Sequence, residues 1–346
     1  MHEPNAASFT GLVDLAAAEL GGKALSSSDD FFAGVENLIK PGRAVFIADK
    51  YTDRGKWMDG WESRRKRALG HDHCILELGV SGHVLALDID TQHFLGNHPP
   101  FASLDGLFAA RGTPLAELEQ GAWRELLPQM PLRPGSQNVF AVERGDAVSH
   151  VRLNIFPDGG VARLRVYGKV LPLAAAARDE DPVMLQHVPQ GLGDLAALKN
   201  GALALACSDA FFGPMNNLLL PGRAVNMGGG WETRRKRAPG HDCDLIHLAA
   251  RGRVQVLELD TNHFKGNYPD RASVELIDAP RARITDLIAS TGFVPLLPES
   301  KLAADTRHFF SQELRAHGPA THLRLNIFPD GGVSRLRAWG KLEDGS

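Results

Sequence analysis

Two short strings hold the side chains that acid–base chemistry needs. His71 and Asp72 lie near the end of "WESRRKRALGHDH" at 61–73, and Asp90, Thr91, His93 and Asn97 stand in "DTQHFLGNHP" at 90–99. A carboxylate two or three residues from an imidazole can orient the ring and set its tautomer, which is the least equipment for general acid–base work. The plainer reading of Asp90 and His93 is an Asx-type turn with a histidine packed at a domain edge. In the first string Glu62 precedes Arg64, Arg65, Lys66 and Arg67. Guanidinium forks bind carboxylates bidentately, so this run suits a small anion; its rival is a solvated turn with structural ion pairs.

Both strings occur twice. "WETRRKRAPGHDC" at 231–243 supplies Glu232, Arg235, His241 and Asp242, and "DTNHFKGNYP" at 260–269 supplies Asp260, His263 and Asn267. "RLNIFPDGG" recurs unchanged at 152–160 and 324–332, so Arg152 is matched by Arg324. Earlier in the chain the copies are offset by 180 (Phe31 against Phe211) and later by 170 (Trp61 against Trp231). The first copy therefore carries ten extra residues in "FIADKYTDRGKWMDG", where the second has "NMGGG". That insertion sets Asp53, Arg54, Lys56 and Asp59 beside the proposed anion site. A repeat this long is a duplicated domain, not a solenoid. The expected organisation is a first domain over 1–170, a linker over 171–190 and a second domain over 191–346.

The elements that must position these residues read mainly as strands. "HVLALDID" and "VQVLELD" alternate at period two, and "VRLNIFPDGGVARLRVYG" reads as strand, turn and strand, a hairpin able to present Arg152, Asn154, Arg163 and Arg165. "GLVDLAAAEL" and "PLAELEQGAWRELL" read as short peripheral helical patches. The fold expected is mainly β: two tandem jelly-roll β-sandwiches.

Bulk properties narrow the function. Hydrophobic residues make up 43% and charged residues 23%, the balance of a globular chain. A net charge of −3 leaves no global field to attract nucleic acid, and no apolar run is long enough to cross a bilayer. Neither nucleic acid nor membrane is an expected partner. The N-terminus lacks a signal-peptide pattern, and three scattered cysteines suit a reduced, cytoplasmic protein. His71, Asp72, His73 and His93 are ligand types for zinc or manganese. Because Cys243 replaces His73 in the second copy and no His-Glu-x-x-His or paired Cys-x-x-Cys spacing occurs, no metal or other cofactor is required by the sequence.

The tandem "GWE-x-RRKR-x-x-GHD", "D-T-x-HF-x-GN-x-P" and "RLNIFPDGG-x-x-RLR" blocks resemble those of allantoicases (allantoate amidinohydrolases), in the same order in both halves and over about residues 10–342. The resemblance implies hydrolysis of allantoate to ureidoglycolate and urea in purine and ureide breakdown, on repeats that resemble galactose-binding or discoidin-like jelly rolls. The expected partners are this small substrate and further copies of the chain. By their chemistry Arg64, Arg65 and Arg67, or Arg152, suit the carboxylate of allantoate, and Asn97 and Glu62 its ureido groups; the resemblance itself does not assign these parts. His71, His93, Asp72 and Asp90 are then the candidates for proton transfer. The competing class is a non-catalytic jelly-roll module that binds a small anion or a carbohydrate.

Overall fold

The alternation in "DHCILELGVSGHVLALDID" builds the central element of the first half, a 19-residue strand that serves two layers. In the computed structural model, which describes residues 12–143, 145–171 and 181–343, the chain divides into two compact units, Met1–Leu171 and Pro172–Ser346. In the first unit the strands are β1 (Val13–Asp14), β2 (Lys23–Ser27), β3 (Tyr51–Thr52), β4 (Gly55–Lys56), β5 (Trp61–Glu62), β6 (Asp72–Asp90), β7 (Phe101–Leu107), β8 (Arg124–Pro131), β9 (Gln137–Ala141), β10 (Val148–Phe156), β11 (Gly160–Val161) and β12 (Arg163–Val170).

The first part of β6 pairs with β2 and β10, and the sheet continues through β7 to β8. Its last part pairs with β9 and β12, with β1 beyond β12. All these pairings are antiparallel. The two layers close on a core to which β6 gives Leu87 and Ile89, β10 gives Val151, Leu153 and Ile155, and β12 gives Leu164 and Val166, none of them exposed. Each such side chain stabilises the fold by about 1.5–3 kcal/mol through burial. The bend at which β6 passes from one layer to the other is flanked by Gly79 and Gly82, where the backbone packs too closely for a side chain: a Cβ on Gly82 would lie 2.4 Å from the Lys169 carbonyl oxygen.

Three sequence expectations need correction. β10 and β12 do not form a hairpin; each pairs with β6, and the segment between them carries the chain from one layer to the other while Gly160–Val161 pairs with Trp61–Glu62. Period-two alternation identifies strands but says nothing of their partners. "GLVDLAAAEL" forms β1 and a single 3₁₀ turn, Ala18–Leu20. In "PLAELEQGAWRELL" only Leu115–Glu119 is helical (α1), and the remainder leads into β8.

The second unit repeats the plan with β13 (Gly193–Asp194), β14 (Leu203–Cys207), β15 (Trp231–Glu232), β16 (Asp242–Asp260), β17 (Arg271–Ile277), β18 (Val294–Lys301), β19 (Arg307–Phe310), β20 (Ala320–Phe328), β21 (Gly332–Val333) and β22 (Arg335–Leu342). The architecture is thus two β-sandwiches in tandem. A short helix, α2 (Pro182–His187), is capped by the Asp181 carboxylate and sets Met184 and Val188 in a cluster with Val256 and Trp339. Where the first unit has the β3–β4 hairpin, the second has only a 3₁₀ turn at Met227–Gly229.

Candidate active site

Because β6 turns between layers, both of its ends reach one rim of the sandwich. There the 157–160 turn is gripped from both candidate strings. The Asp72 N–H donates to the Pro157 carbonyl at 3.0 Å, the Lys66 N–H to Asp158 Oδ2 at 2.8 Å, and the Gly160 N–H to the Asn97 carbonyl at 2.7 Å. Gly159 has φ +139°, and a Cβ on Gly160 would stand 2.0 Å from the Phe94 ring, so neither position admits a side chain. The repeated "PDGG" is the joint that locks the two strings together. Trp61, fully buried, donates from Nε1 to the Asp29 carbonyl at 2.8 Å and anchors Glu62 beside it.

A cleft of about 370 Å³ opens on this rim, lined among others by Glu62, His93, Asn97, Arg54 and Lys56, with Phe46 as an apolar wall. Asn97 donates from Nδ2 to Glu62 Oε1 at 2.7 Å. Burial raises the Glu62 pKa above the ordinary glutamate value, and the Asn97 hydrogen bond opposes that rise. His93 has φ 72°, a left-handed conformation uncommon for histidine and the kind of local strain that collects at functional sites. Its Nε2 lies 3.1 Å from the Ala44 carbonyl oxygen, which fixes Nε2 as the donor and leaves Nδ1 as the basic atom of the neutral ring. The Phe46 ring packs 5.5 Å from the imidazole.

The inserted hairpin supplies the cations. Arg54 donates from Nη1 to the Phe31 carbonyl at 3.0 Å and lies over the Phe31 ring, while Lys56 lies over Phe46. Among the described residues neither is paired with a carboxylate.

Of the residues proposed for catalysis or substrate binding only Glu62, His93 and Asn97 line this cleft, joined by Arg54 and Lys56 of the inserted segment. Arg64 is bound to Asp29, with Nε 2.7 Å from Oδ2, and Arg65 and Arg67 are exposed outside the lining. Arg152 is bound to Asp105 at 2.8 Å and covered by Trp123, the internal pairing that competed with an anion-binding face. His71 packs its exposed ring on Phe156, and buried Asp72 takes hydrogen bonds from Ser28 and Lys66. Asp90 accepts from the Gln92 N–H and pairs with Arg43, so it is the Ala44 carbonyl, not Asp90, that orients His93.

The second unit repeats these contacts. Asn267 donates to Glu232, His263 Nε2 lies 2.9 Å from the Ala224 carbonyl oxygen, and Asp260 pairs with Arg223. Asp242 is held by Ser208 and Lys236, His241 packs on Phe328, Arg324 is bound to Glu275, and Arg235 is exposed. Sequence reasoning assigned no role to Asp29 or Arg43, or to the cleft walls Phe32, Phe46 and Met58. A signal existed for the first two, since "SD" at 28–29 and "PGRAV" at 41–45 both recur at 208–209 and 221–225.

An allantoicase-repeat profile matches residues 13–171 and 193–343. The chain belongs to the allantoicase family. A probable allantoicase of Burkholderia mallei is 47% identical over 346 residues, covering 99% of this chain and 98% of the relative. One from Pseudomonas paraeruginosa is 48% identical over 339 residues, with 97% of each covered. The crystal structure of Saccharomyces cerevisiae allantoicase, 35% identical, superposes with a TM-score of 0.80 over 96% of this chain and 94% of that one. Family membership thus spans both units, and each repeat holds one copy of the glutamate–asparagine–histidine set.

Proposed function

We infer that the chain is an allantoicase, a hydrolase that cleaves a C–N bond of allantoate with water to give ureidoglycolate and urea. The observation that supports a site for this reaction in the first unit is the meeting, in one cleft, of the Glu62–Asn97 pair and His93 with two cations that have no carboxylate partner among the described residues.

Allantoate carries a carboxylate and two ureido groups on one carbon. Arg54 and Lys56 hold the carboxylate, Arg54 through the guanidinium edge not engaged by Phe31. Glu62 keeps Oε2 free to accept ureido N–H groups, because Oε1 is taken by Asn97. His93 handles the proton: Nδ1 removes it from the water that bonds to the central carbon and returns it to the ureido nitrogen that departs as urea. The β3–β4 hairpin walls one side of the cleft and, with a substrate bound beneath it, limits the access of bulk water, which strengthens the charge interactions there. Nothing in this scheme calls for an organic cofactor.

The same reading places the protein in the cytoplasm as a homo-oligomer acting in purine and ureide breakdown. The test is product analysis of the purified chain with allantoate: equimolar urea and ureidoglycolate are expected, and ammonia with carbon dioxide would indicate a different amidohydrolase reaction. Size-exclusion with light scattering checks the assembly.

A further inference from the structure

The second unit has kept the recognition pair of the first while its cations have changed. Asn267 donates to Glu232 as Asn97 does to Glu62, and His263 holds the same left-handed conformation, φ 69°, over the same alanine carbonyl. Trp231 Nε1 donates to the Asp209 carbonyl at 2.8 Å, and the Phe212 N–H to the Glu232 carbonyl at 3.2 Å. The corresponding bonds in the first unit, from Trp61 and Phe32, measure 2.8 and 3.2 Å. A half-buried glutamate and a left-handed histidine are costly for a merely structural rim to retain in duplicate.

Three differences change what this rim can hold. The hairpin that carries Arg54 and Lys56 has no counterpart, so that wall and its cations are missing. Lys265 stands where the first unit has Leu95, one of the residues lining the first cleft. Lys265 is exposed and, among the described residues, has no carboxylate partner. Asp305, at the position of Gly135, also accepts the backbone N–H of His263 at 2.7 Å.

We propose that the second unit carries its own ligand site for small ureido acids, in which Glu232 and Asn267 hold the ureido group and Lys265 the carboxylate, and that this site binds without turning its ligand over. Lacking the hairpin, it is open to water and has one cation instead of two. It exchanges its ligand freely and does not assemble the shielded environment that proton transfer in the first cleft uses. Each chain then binds two ureido acids and turns over one. This rests on the reading that the Glu62 cleft is the catalytic one.

The test is equilibrium dialysis of the full chain with N-carbamoylglycine, a stable acid with one ureido group, alongside allantoate kinetics. Two sites per chain are expected. Asn267→Ala removes one and leaves allantoate kcat/KM within about twofold, a change under ~0.4 kcal/mol. Lys265→Leu, a surface change that does not endanger folding, weakens the second site at least threefold for N-carbamoylglycine and leaves the uncharged N-carbamoylglycinamide unaffected. One site per chain in the wild type, or a second site indifferent to both substitutions, overturns the proposal. Loss of turnover in Glu232→Gln with full turnover in Glu62→Gln overturns the claim that the second site is silent and, separately, the catalytic reading, even where the two-site count stands.

Discussion

Asn97 donates its side-chain N–H to Oε1 of Glu62 at 2.7 Å, joining the turn after β6 to the strand that follows the inserted hairpin. The bond turns a half-buried carboxylate of the cleft lining into an oriented acceptor with one oxygen spoken for. It also opposes the upward pKa shift that burial imposes. If Glu62 acts ionised, activity rises with pH through its folded-state pKa. Removing the bond in Asn97→Ala lets burial act unopposed and moves the acid limb of the kcat/KM profile to higher pH. Glu62→Gln removes the ionisation and is expected to lower kcat/KM at least a hundredfold, about 2.7 kcal/mol of transition-state stabilisation. Initial rates of urea release between pH 4.5 and 8 check both; an acid limb unmoved in Asn97→Ala would show that another group controls it.

The cations divide in the same way. Arg54 and Lys56 line the cleft and have no carboxylate partner among the described residues, whereas Arg65 and Arg67 are exposed beyond it. Arg54→Ala is therefore expected to raise the allantoate KM at least tenfold, about 1.4 kcal/mol, and Arg65→Ala less than twofold. His93→Ala is expected to reduce kcat at least tenfold, whereas His263→Ala leaves it within about twofold. Steady-state kinetics on the four variants, each shown to be folded by circular dichroism, decides whether the "RRKR" run or the hairpin is the anion clamp.

The repeat carried most of what was legible in the sequence. Matching strings located the duplication, the period-two runs predicted the sandwiches, and Glu62, His93 and Asn97 were visible because each recurs. Partner choice was hidden. Arg64 and Arg152 looked available as an anion clamp, yet Asp29 and Asp105 neutralise them, and neither carboxylate lies close to its arginine in sequence. The same blindness produced the hairpin error, since alternation in β10 and β12 fixes the face each residue takes and leaves open which strand lies alongside. His71 and Asp72 were drawn together by adjacency, but on a strand neighbouring side chains point to opposite faces, so the ring packs outward on Phe156 while the carboxylate turns inward to Ser28.

Acid should weaken the second unit through His322. This buried ring is bonded through Nδ1 to the Thr321 hydroxyl at 2.9 Å, and burial, helped by nearby His247, lowers its pKa to about 4. A base whose folded pKa is depressed takes up its proton in the unfolded state first. Its contribution is therefore fully present above the unfolded value of about 6.5 and is lost as pH falls towards 4. Between pH 7.5 and 5 the loss is about 2 kcal/mol. Urea denaturation of wild type and His322→Gln at both pH values measures it, and a difference between the two proteins that does not change with pH would exclude His322 as the source.

Asp244 is expected to be a stability defect of the opposite sign in pH. It sits at the inward-facing position that Cys74 occupies in the first unit, across the ladder from Leu325, fully buried, and among the described residues no hydrogen bond of ordinary geometry reaches either carboxyl oxygen; the Leu245 backbone N–H acts on it only weakly. Burial raises its pKa well above the usual carboxylate value, against a smaller opposing pull from the Leu245 N–H. The folded state thus holds the proton that the unfolded state releases near pH 4, so the penalty grows as pH rises from that point towards the folded pKa. Even protonated, an unpaired buried carboxyl costs about 1–3 kcal/mol. Replacing it with the first unit's residue, Asp244→Cys, is expected to stabilise the second unit by at least that amount, with the gain larger at pH 7 than at pH 4.5. Denaturation of the two proteins at these pH values supplies the comparison; equal stability at pH 7 would mean that the carboxyl is satisfied after all, and a gain that shrinks with rising pH would reverse the assigned protonation state.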